Sequence, residues 1–257
     1  MSTSWNPEQY LRFSDARLRP AIDLISRLQP AAAPQRIVDL GCGTGSVTRI
    51  LAERWPAASV VGIDSSPDML ARAATEGPGV QWVQARVDTW SPDEPVDLLF
   101  SNATLHWLPD HHELLPRLAQ EVAPAGLLAV QMPRNFAAPS HTAIADAVRD
   151  GPWRTRLEPL LREAPVLSPA EYFDLLRDLG TVDIWETEYL QQLHGRDPVK
   201  EWTKGTWLQP FLAALDGAER EAFESAYAER VRRAYPLRPD GTTLFPFRRL
   251  FIVLTRR

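Results

Sequence analysis

From about residue 20 to residue 132, short apolar runs alternate with amphipathic stretches, the pattern of βα units built on a parallel sheet. Five strands are predicted: RIVDL (36–40), SVVGID (59–64), VQWVQA (80–85), VDLLFSN (96–102) and LLAVQMP (127–133). Between them, SVTRILAERW and PDMLARAATE place apolar residues at i, i+3, i+4 spacing, so each is expected to be a crossover helix. HHELLPRLAQEVAPAG reads as a third helix, ended by Gly126 just ahead of the fifth strand. After residue 135 the alternation stops. Helical patterns dominate (HTAIADAVRD, SPAEYFDLLRDLG, GAEREAFESAYAERVRRAY), with two strand-like runs, VDIWETEYLQQL and TTLFPFRRLFIVLTRR. The expected organisation is an N-terminal segment over 1–20, a βα core over 21–135, and 136–257 as a helical cap plus the last strands of the sheet.

Composition narrows the class. A chain of 257 residues with 44% hydrophobic content can bury one large core, or one core and a modest cap. The net charge is −5, and the basic residues are interspersed with acids, which argues against nucleic acid as a partner. No window approaches the roughly 18 to 20 apolar residues needed to span a bilayer, and the N-terminus has no apolar leader core. A cytoplasmic protein with no membrane partner is expected. The single cysteine, Cys42, has no internal disulfide partner and no neighbours at metal-ligand spacing, so no metal is expected. His111 and His112 are adjacent, a poor geometry for joint ligation, and are expected on a solvated helix face.

The chemistry is expected at VDLGCGTGS (38–46). Gly41, Gly43 and Gly45 lie between a predicted strand and a predicted helix, where glycine permits unusual φ/ψ and close approach of a ligand to the backbone. A dinucleotide loop needs Gly-x-Gly-x-x-Gly or Ala; here the third glycine comes one residue early and Ser46 holds the sixth position. Asp39, two residues before the first glycine, would repel a pyrophosphate and attract a cation.

VDLGCGTG resembles the first motif of the class I S-adenosylmethionine-dependent methyltransferases. The resemblance implies a Rossmann-like, doubly wound, mostly parallel seven-stranded sheet with the last strand antiparallel, and S-adenosylmethionine as cofactor. It implies that Asp39, Gly41, Gly43 and Gly45 take the methionine end, and that Asp64, in VVGIDSSPDML, takes the ribose hydroxyls with Ser65 and Met69 beside it. A carboxylate suits a diol because it can accept two hydroxyl hydrogen bonds. By the same resemblance Asp88, in ARVDTW, accepts from the adenine amino group, and Asn102, in FSNATLHWL, faces the methionine moiety with His106 and Trp107 at the mouth. A narrower resemblance runs through WNPEQYLRFSDARLRP, NATLHWLPDHHELLP, LAVQMPRN, VDIWETEY and RRLFIVLTRR, and is to the trans-aconitate methyltransferases of that superfamily. It implies a small polycarboxylate as substrate.

Such an acceptor makes definite demands. A carboxylic acid with a pKa of about 4 is already ionised at pH 7, so its methylation needs no general base. Placement and exclusion of water remain, and both call for cations and a lid. Trp5, Asn6, Tyr10, Arg12, Arg17 and Arg19 lie in the N-terminal segment, which could close over the cofactor; Arg134 follows the fifth strand, and Arg248 and Arg249 lie on the last strand-like run. Trp5, Tyr10, Arg17, Arg134 and Arg249 are the expected substrate contacts, with no catalytic residue in the strict sense. Two alternatives stay open: a methyltransferase of the same fold acting on a neutral acceptor, with His106 as general base, and a cofactor-binding regulator without an acceptor pocket.

Overall fold

The structure, a computed structural model, describes residues 18–75, 79–204 and 207–257. Its sheet has seven strands: β1 (Arg36–Leu40), β2 (Ser59–Asp64), β3 (Gln81–Gln84), β4 (Val96–Asn102), β5 (Val122–Pro133), β6 (Gly180–His194) and β7 (Thr242–Arg256). They lie in the order β3-β2-β1-β4-β5-β7-β6. The first five pair in parallel and β7 runs antiparallel to β5, with Gln131 opposite Phe251 and Pro133 opposite Arg249. This is the doubly wound, mostly parallel sheet with an antiparallel last strand that the sequence leads one to expect.

The parallel strands are buried on both faces and read as continuous apolar runs: Ile37, Val38 and Leu40 in β1, and Leu98, Leu99 and Phe100 in β4, are all buried. The main helices are α1 (Arg19–Arg27), α2 (Ser46–Arg54), α3 (Pro67–Ala74), α4 (His111–Gln120), α5 (Pro139–Asp150), α6 (Pro169–Leu176) and α7 (Gly217–Ala234). Helix α3 starts where the sequence says it should. Ser66 accepts the Met69 N–H at 3.3 Å, and Pro67 occupies the first helical position, whose N–H would be idle. Helix α6 starts with a complete capping box, Ser168 and Glu171 exchanging side-chain-to-backbone bonds.

Two expectations are corrected here. Gly126 does not end the helix before β5: α4 stops at Gln120, and Gly126 lies within the strand, where a Cβ would come within 2.9 Å of the Ala123 and Asp97 carbonyl oxygens. The glycine is there for close packing between β5 and the entry to β4. His111 is not on a solvated face. It is buried at the start of α4, one ring nitrogen bonded to the Tyr172 hydroxyl and the other 2.9 Å from the Leu105 carbonyl, while His112 is exposed as expected. Burial holds the His111 pKa below its ordinary value.

Two compact units account for the described residues. The first comprises those up to Pro133 together with 165–186 and 249–257, and so holds the parallel strands, α6 and the inner half of β7. Its β6 edge is fixed by Trp185, which stacks on Phe251 at 4.8 Å and carries the Arg27 guanidinium 4.5 Å above its ring. The second unit comprises 134–164 and 187–248. Its own core gathers Trp153, Phe211, Phe223, Tyr227 and Phe245 between α5 and α7, and the Tyr227 hydroxyl donates to the Ser140 carbonyl at 2.9 Å. Among the described residues no helix is long and apolar enough to cross a membrane.

Candidate active site

The site is built on one face of the sheet in the first unit. Side chains alternate across a strand, and residues paired in register share a face. The register pairs Asp39 with Gly62 and Phe100, Asp64 lies two residues beyond Gly62, and Asn102 two beyond Phe100. Asn102 pairs with Gln131, Gln131 with Phe251, and Arg249 lies two residues from Phe251. Asp39, Asp64, Asn102, Gln131 and Arg249 therefore stand on the same face, at the carboxyl ends of the parallel strands or beside them on β7. That edge is where open α/β sheets bind ligands.

The glycine loop bridges β1 and α2. Gly41, Gly43 and Gly45 all have positive φ, +76°, +55° and +77°, a region that L side chains adopt only with strain. Space separates their roles. A Cβ on Gly41 would collide with the Thr104 side chain and one on Gly45 with the Trp82 ring, whereas one on Gly43 would meet nothing within 4 Å. Gly43 faces open space, and the other two let the loop pack.

The loop's donors are turned inward. The N–H groups of Gly41 and Cys42 both donate to the Ile63 carbonyl, at 2.7 and 2.9 Å, and that of Gly45 to the Cys42 carbonyl. The Gly43 N–H donates to Asp64 Oδ2 at 2.9 Å, and Asp64 Oδ1 accepts from the Ser66 N–H at 2.9 Å. With three of these amides bonded to the end of β2 and the fourth within the loop, they form no nest for a diphosphate.

Its charge points the same way. Asp39 is buried and accepts from Thr48 Oγ1 at 2.7 Å, and among the described residues no cation pairs with it. Burial pushes its pKa up to about 7; the Thr48 hydrogen bond opposes the shift and the Asp64 charge adds to it. Cys42 lies beside the two acids, and burial together with the charges of Asp39 and Asp64 pushes its thiol up to about 12. A buried acid, a second acid 25 residues on in the chain and a glycine facing open space suit a cationic ligand better than an anionic one.

Around this centre, Ser65 and Met69 are exposed beside Asp64, and it is Ser66, not Ser65, that caps α3. Asp88 is half-buried in the turn after β3, with both carboxylate oxygens engaged by Arg86, whose hydrogen bond holds the Asp88 carboxyl below its usual range. Arg117 clamps the same turn by donating to the Val87, Asp88 and Trp90 carbonyls. His106 is buried with its ring 4.6 Å from that of the exposed Trp107.

The arginines divide. Arg249 is buried on the face just described, whereas its neighbour Arg248 is exposed, its guanidinium 3.8 Å from Glu188 in the second unit. Arg134 also belongs to the second unit, its N–H donating to the Arg248 carbonyl at 3.0 Å. Arg19 lies on α1 near Asp23. Trp5, Asn6, Tyr10, Arg12 and Arg17 lie outside the described residues.

Sequence reasoning missed Gln131. It is fully buried, and among the described residues neither Oε1 nor Nε2 has a hydrogen-bond partner; Asn102 Oδ1, on the adjacent strand, is likewise buried and unmatched. The signal was a polar residue interrupting the apolar run LLAVQMP. No group of three or more His, Cys, Asp or Glu that could hold a metal occurs among the described residues.

Known proteins resemble this chain in both sequence and fold. The family described as "Methyltransferase domain" matches residues 37–126, which includes the glycine loop, Asp64, Asp88 and Asn102. In fold, the chain is similar to an S-adenosylmethionine-dependent methyltransferase from Mesorhizobium loti, with a TM-score of 0.54 at 22% identity, over 94% of this chain and 98% of that one. In sequence, it is 48% identical to trans-aconitate 2-methyltransferase from Streptomyces avermitilis, over 97% of this chain and 96% of the relative. It is 45% identical to that of Azoarcus sp., over 98% and 99%. Identity this high over nearly the whole length of both chains leaves one assignment: the chain belongs to the trans-aconitate 2-methyltransferase family.

Proposed function

We propose that this protein transfers a methyl group from S-adenosylmethionine to one carboxylate of trans-aconitate, giving a monomethyl ester. The observation that carries the cofactor half is the buried Asp39 carboxylate at the start of a glycine loop whose Gly41, Cys42, Gly43 and Gly45 amides are already bonded within the protein. When bound, S-adenosylmethionine supplies a methyl group on a sulfonium sulfur, so that an acid oxygen gains the methyl as the carbon–sulfur bond breaks and its electron pair stays on sulfur. Asp39 and Asn102 Oδ1 are suited to the ammonium of its methionine end, and Gly43 leaves room beside them. Asp64, with Ser65 and Met69 exposed around it, is suited to the ribose and the flank of the base, and Asp88, already paired with Arg86, is the proposed acceptor for the adenine amino group through the lone pairs that pairing leaves.

The acceptor half rests on charge. A trianion needs cations for the carboxylates that do not react, and Arg249, buried on the same face, offers a guanidinium whose planar fork matches a carboxylate. Trp5, Tyr10, Arg17 and Arg134 are further proposed contacts. No residue has to remove a proton, because the acid is ionised well below neutral pH. Similarity over the whole chain to two trans-aconitate 2-methyltransferases supports this acceptor above others.

The test is a methyl-transfer assay with labelled cofactor over trans-aconitate, related di- and tricarboxylates and neutral hydroxyl acceptors, with mass-spectrometric identification of the product. One methyl ester of trans-aconitate is expected. Transfer only to neutral acceptors, lost on His106→Gln, would replace this reading by the general-base alternative.

A further inference from the structure

Gln131 is the polar feature that the cofactor half of the site does not use. It stands at the end of β5, between Asn102 on β4 and Phe251 on β7, with Arg249 at the next same-face position on β7. Its side chain has no exposure to solvent, and among the described residues both ends of the amide lack a hydrogen-bond partner. Buried polar groups in folded proteins are nearly always matched, so an amide unmatched at both ends asks for a ligand.

We propose that Gln131 orients the carboxylate that receives the methyl group, its Nε2 donating to one oxygen and leaving the other free to react, while Arg249 holds a carboxylate that does not. The inference rests on the acceptor reading above and assigns a part within it. Two features select an amide for the reacting group. A guanidinium would withdraw charge from the nucleophilic oxygen, whereas a neutral N–H fixes its direction and leaves most of its charge in place. Position is the second. Gln131 is the register partner of Asn102, whereas Arg249 is one step farther along the face.

The test compares wild-type protein with Gln131→Leu, which keeps the bulk and removes the polar atoms. Three quantities are measured: ligand-free melting temperature, affinity for S-adenosylhomocysteine, and affinity and turnover for trans-aconitate with the site saturated in cofactor or its product. Expected are a melting temperature raised by about 2 to 4 °C as a buried unmatched amide is removed, S-adenosylhomocysteine affinity within twofold of wild type, and at least a tenfold loss in both trans-aconitate affinity and kcat/KM. A trans-aconitate affinity equal to wild type overturns the proposal whichever way the melting temperature moves. Should Gln131→Leu not fold, Gln131→Glu serves: its carboxylate repels the acid, so turnover is lost at pH 8 and partly regained towards pH 6 as a protonated oxygen again donates; full activity at pH 8, or a loss that pH does not relieve, overturns it. Wild-type protein that esterifies no polycarboxylate sinks the acceptor reading itself, an outcome distinct from normal esterification by the variant.

Discussion

Asp64 Oδ2 accepts the Gly43 N–H across 21 residues of sequence, and through this bond the end of β2 fixes the middle of the glycine loop. The other oxygen accepts the Ser66 N–H, so the same carboxylate also fixes the start of α3. The acid proposed to meet the ribose is thus a strut of the loop proposed to hold the methionine end, and one side chain would couple the two halves of the cofactor site. Asp64→Ala should weaken S-adenosylhomocysteine binding at least tenfold, since each lost bond to a charged group is worth about 1.5 to 3 kcal/mol before water compensates. A 2′-deoxy analogue separates contact from scaffolding: it should bind wild type more weakly than the parent compound and Asp64→Ala about equally. Equal loss of affinity for the analogue in both proteins would leave Asp64 a strut only.

Asp39 makes binding depend on pH. Its folded pKa, about 7, lies above the ordinary value of 3.8. A proton is therefore held more tightly in the folded state, and the stability this gives is complete below about pH 4 and is lost as pH rises through 7. Ligand-free protein should lose stability between pH 5 and 8 more steeply than Asp39→Asn, by an amount on the order of a few kcal/mol. A bound ammonium favours the ionised carboxylate, so S-adenosylhomocysteine should bind more tightly at pH 8 than at pH 6 and release a proton at the lower pH. Calorimetry in two buffers of different ionisation enthalpy reads that proton directly. Identical pH slopes in Asp39→Asn and wild type would refute the assignment.

Much of this was legible in the sequence, for physical reasons that particular residues make plain. β1, β2 and β4 are short, apolar and bounded by glycine or polar residues, so the pattern fixes them residue for residue. The glycine loop and Asp64 carry motifs because backbone geometry at those points tolerates few side chains. What escaped depends on register, which one strand does not encode. Gln131 becomes significant only when β5 lies between β4 and β7, Arg249 separates from Arg248 only when the face of β7 is known, and His111 is a core residue only because Tyr172, 61 positions away, supplies its partner. Gly126 misled because a glycine that permits close packing and one that ends a helix look alike along the chain.

The Cys42 thiol, pushed up to about 12 by burial and the charges of Asp39 and Asp64, is essentially all protonated at pH 8. Native protein should therefore resist iodoacetamide at pH 8 for hours, and denatured protein should be alkylated within minutes. Mass spectrometry of the intact chain measures both. Rapid alkylation of the native protein would mean that the acids are neutral or the loop open, and would count against the electrostatic account of the pocket.

The acceptor side is tested by the contrast between two adjacent arginines. Arg249 is buried on the face that carries Asp39 and Gln131, whereas Arg248 is exposed with its guanidinium 3.8 Å from Glu188, an ion pair worth about 0 to 1 kcal/mol. Arg249→Ala should raise KM for trans-aconitate by roughly tenfold to a hundredfold, the equivalent of about 1.5 to 3 kcal/mol for one charge-assisted contact. Arg249→Lys should restore only part of it, because a point charge cannot reproduce a bidentate fork. Arg248→Ala should change KM less than twofold. Salt discriminates further: raising ionic strength should weaken acid binding only modestly, since an enclosed pair is screened less than an exposed one. Melting temperatures guard against misreading a folding defect as lost affinity, and S-adenosylhomocysteine binding by each variant checks that the cofactor half is intact. If Arg249→Ala esterifies trans-aconitate with wild-type KM and turnover, the buried guanidinium is structural, and the cation that holds the acid must come from elsewhere in the chain.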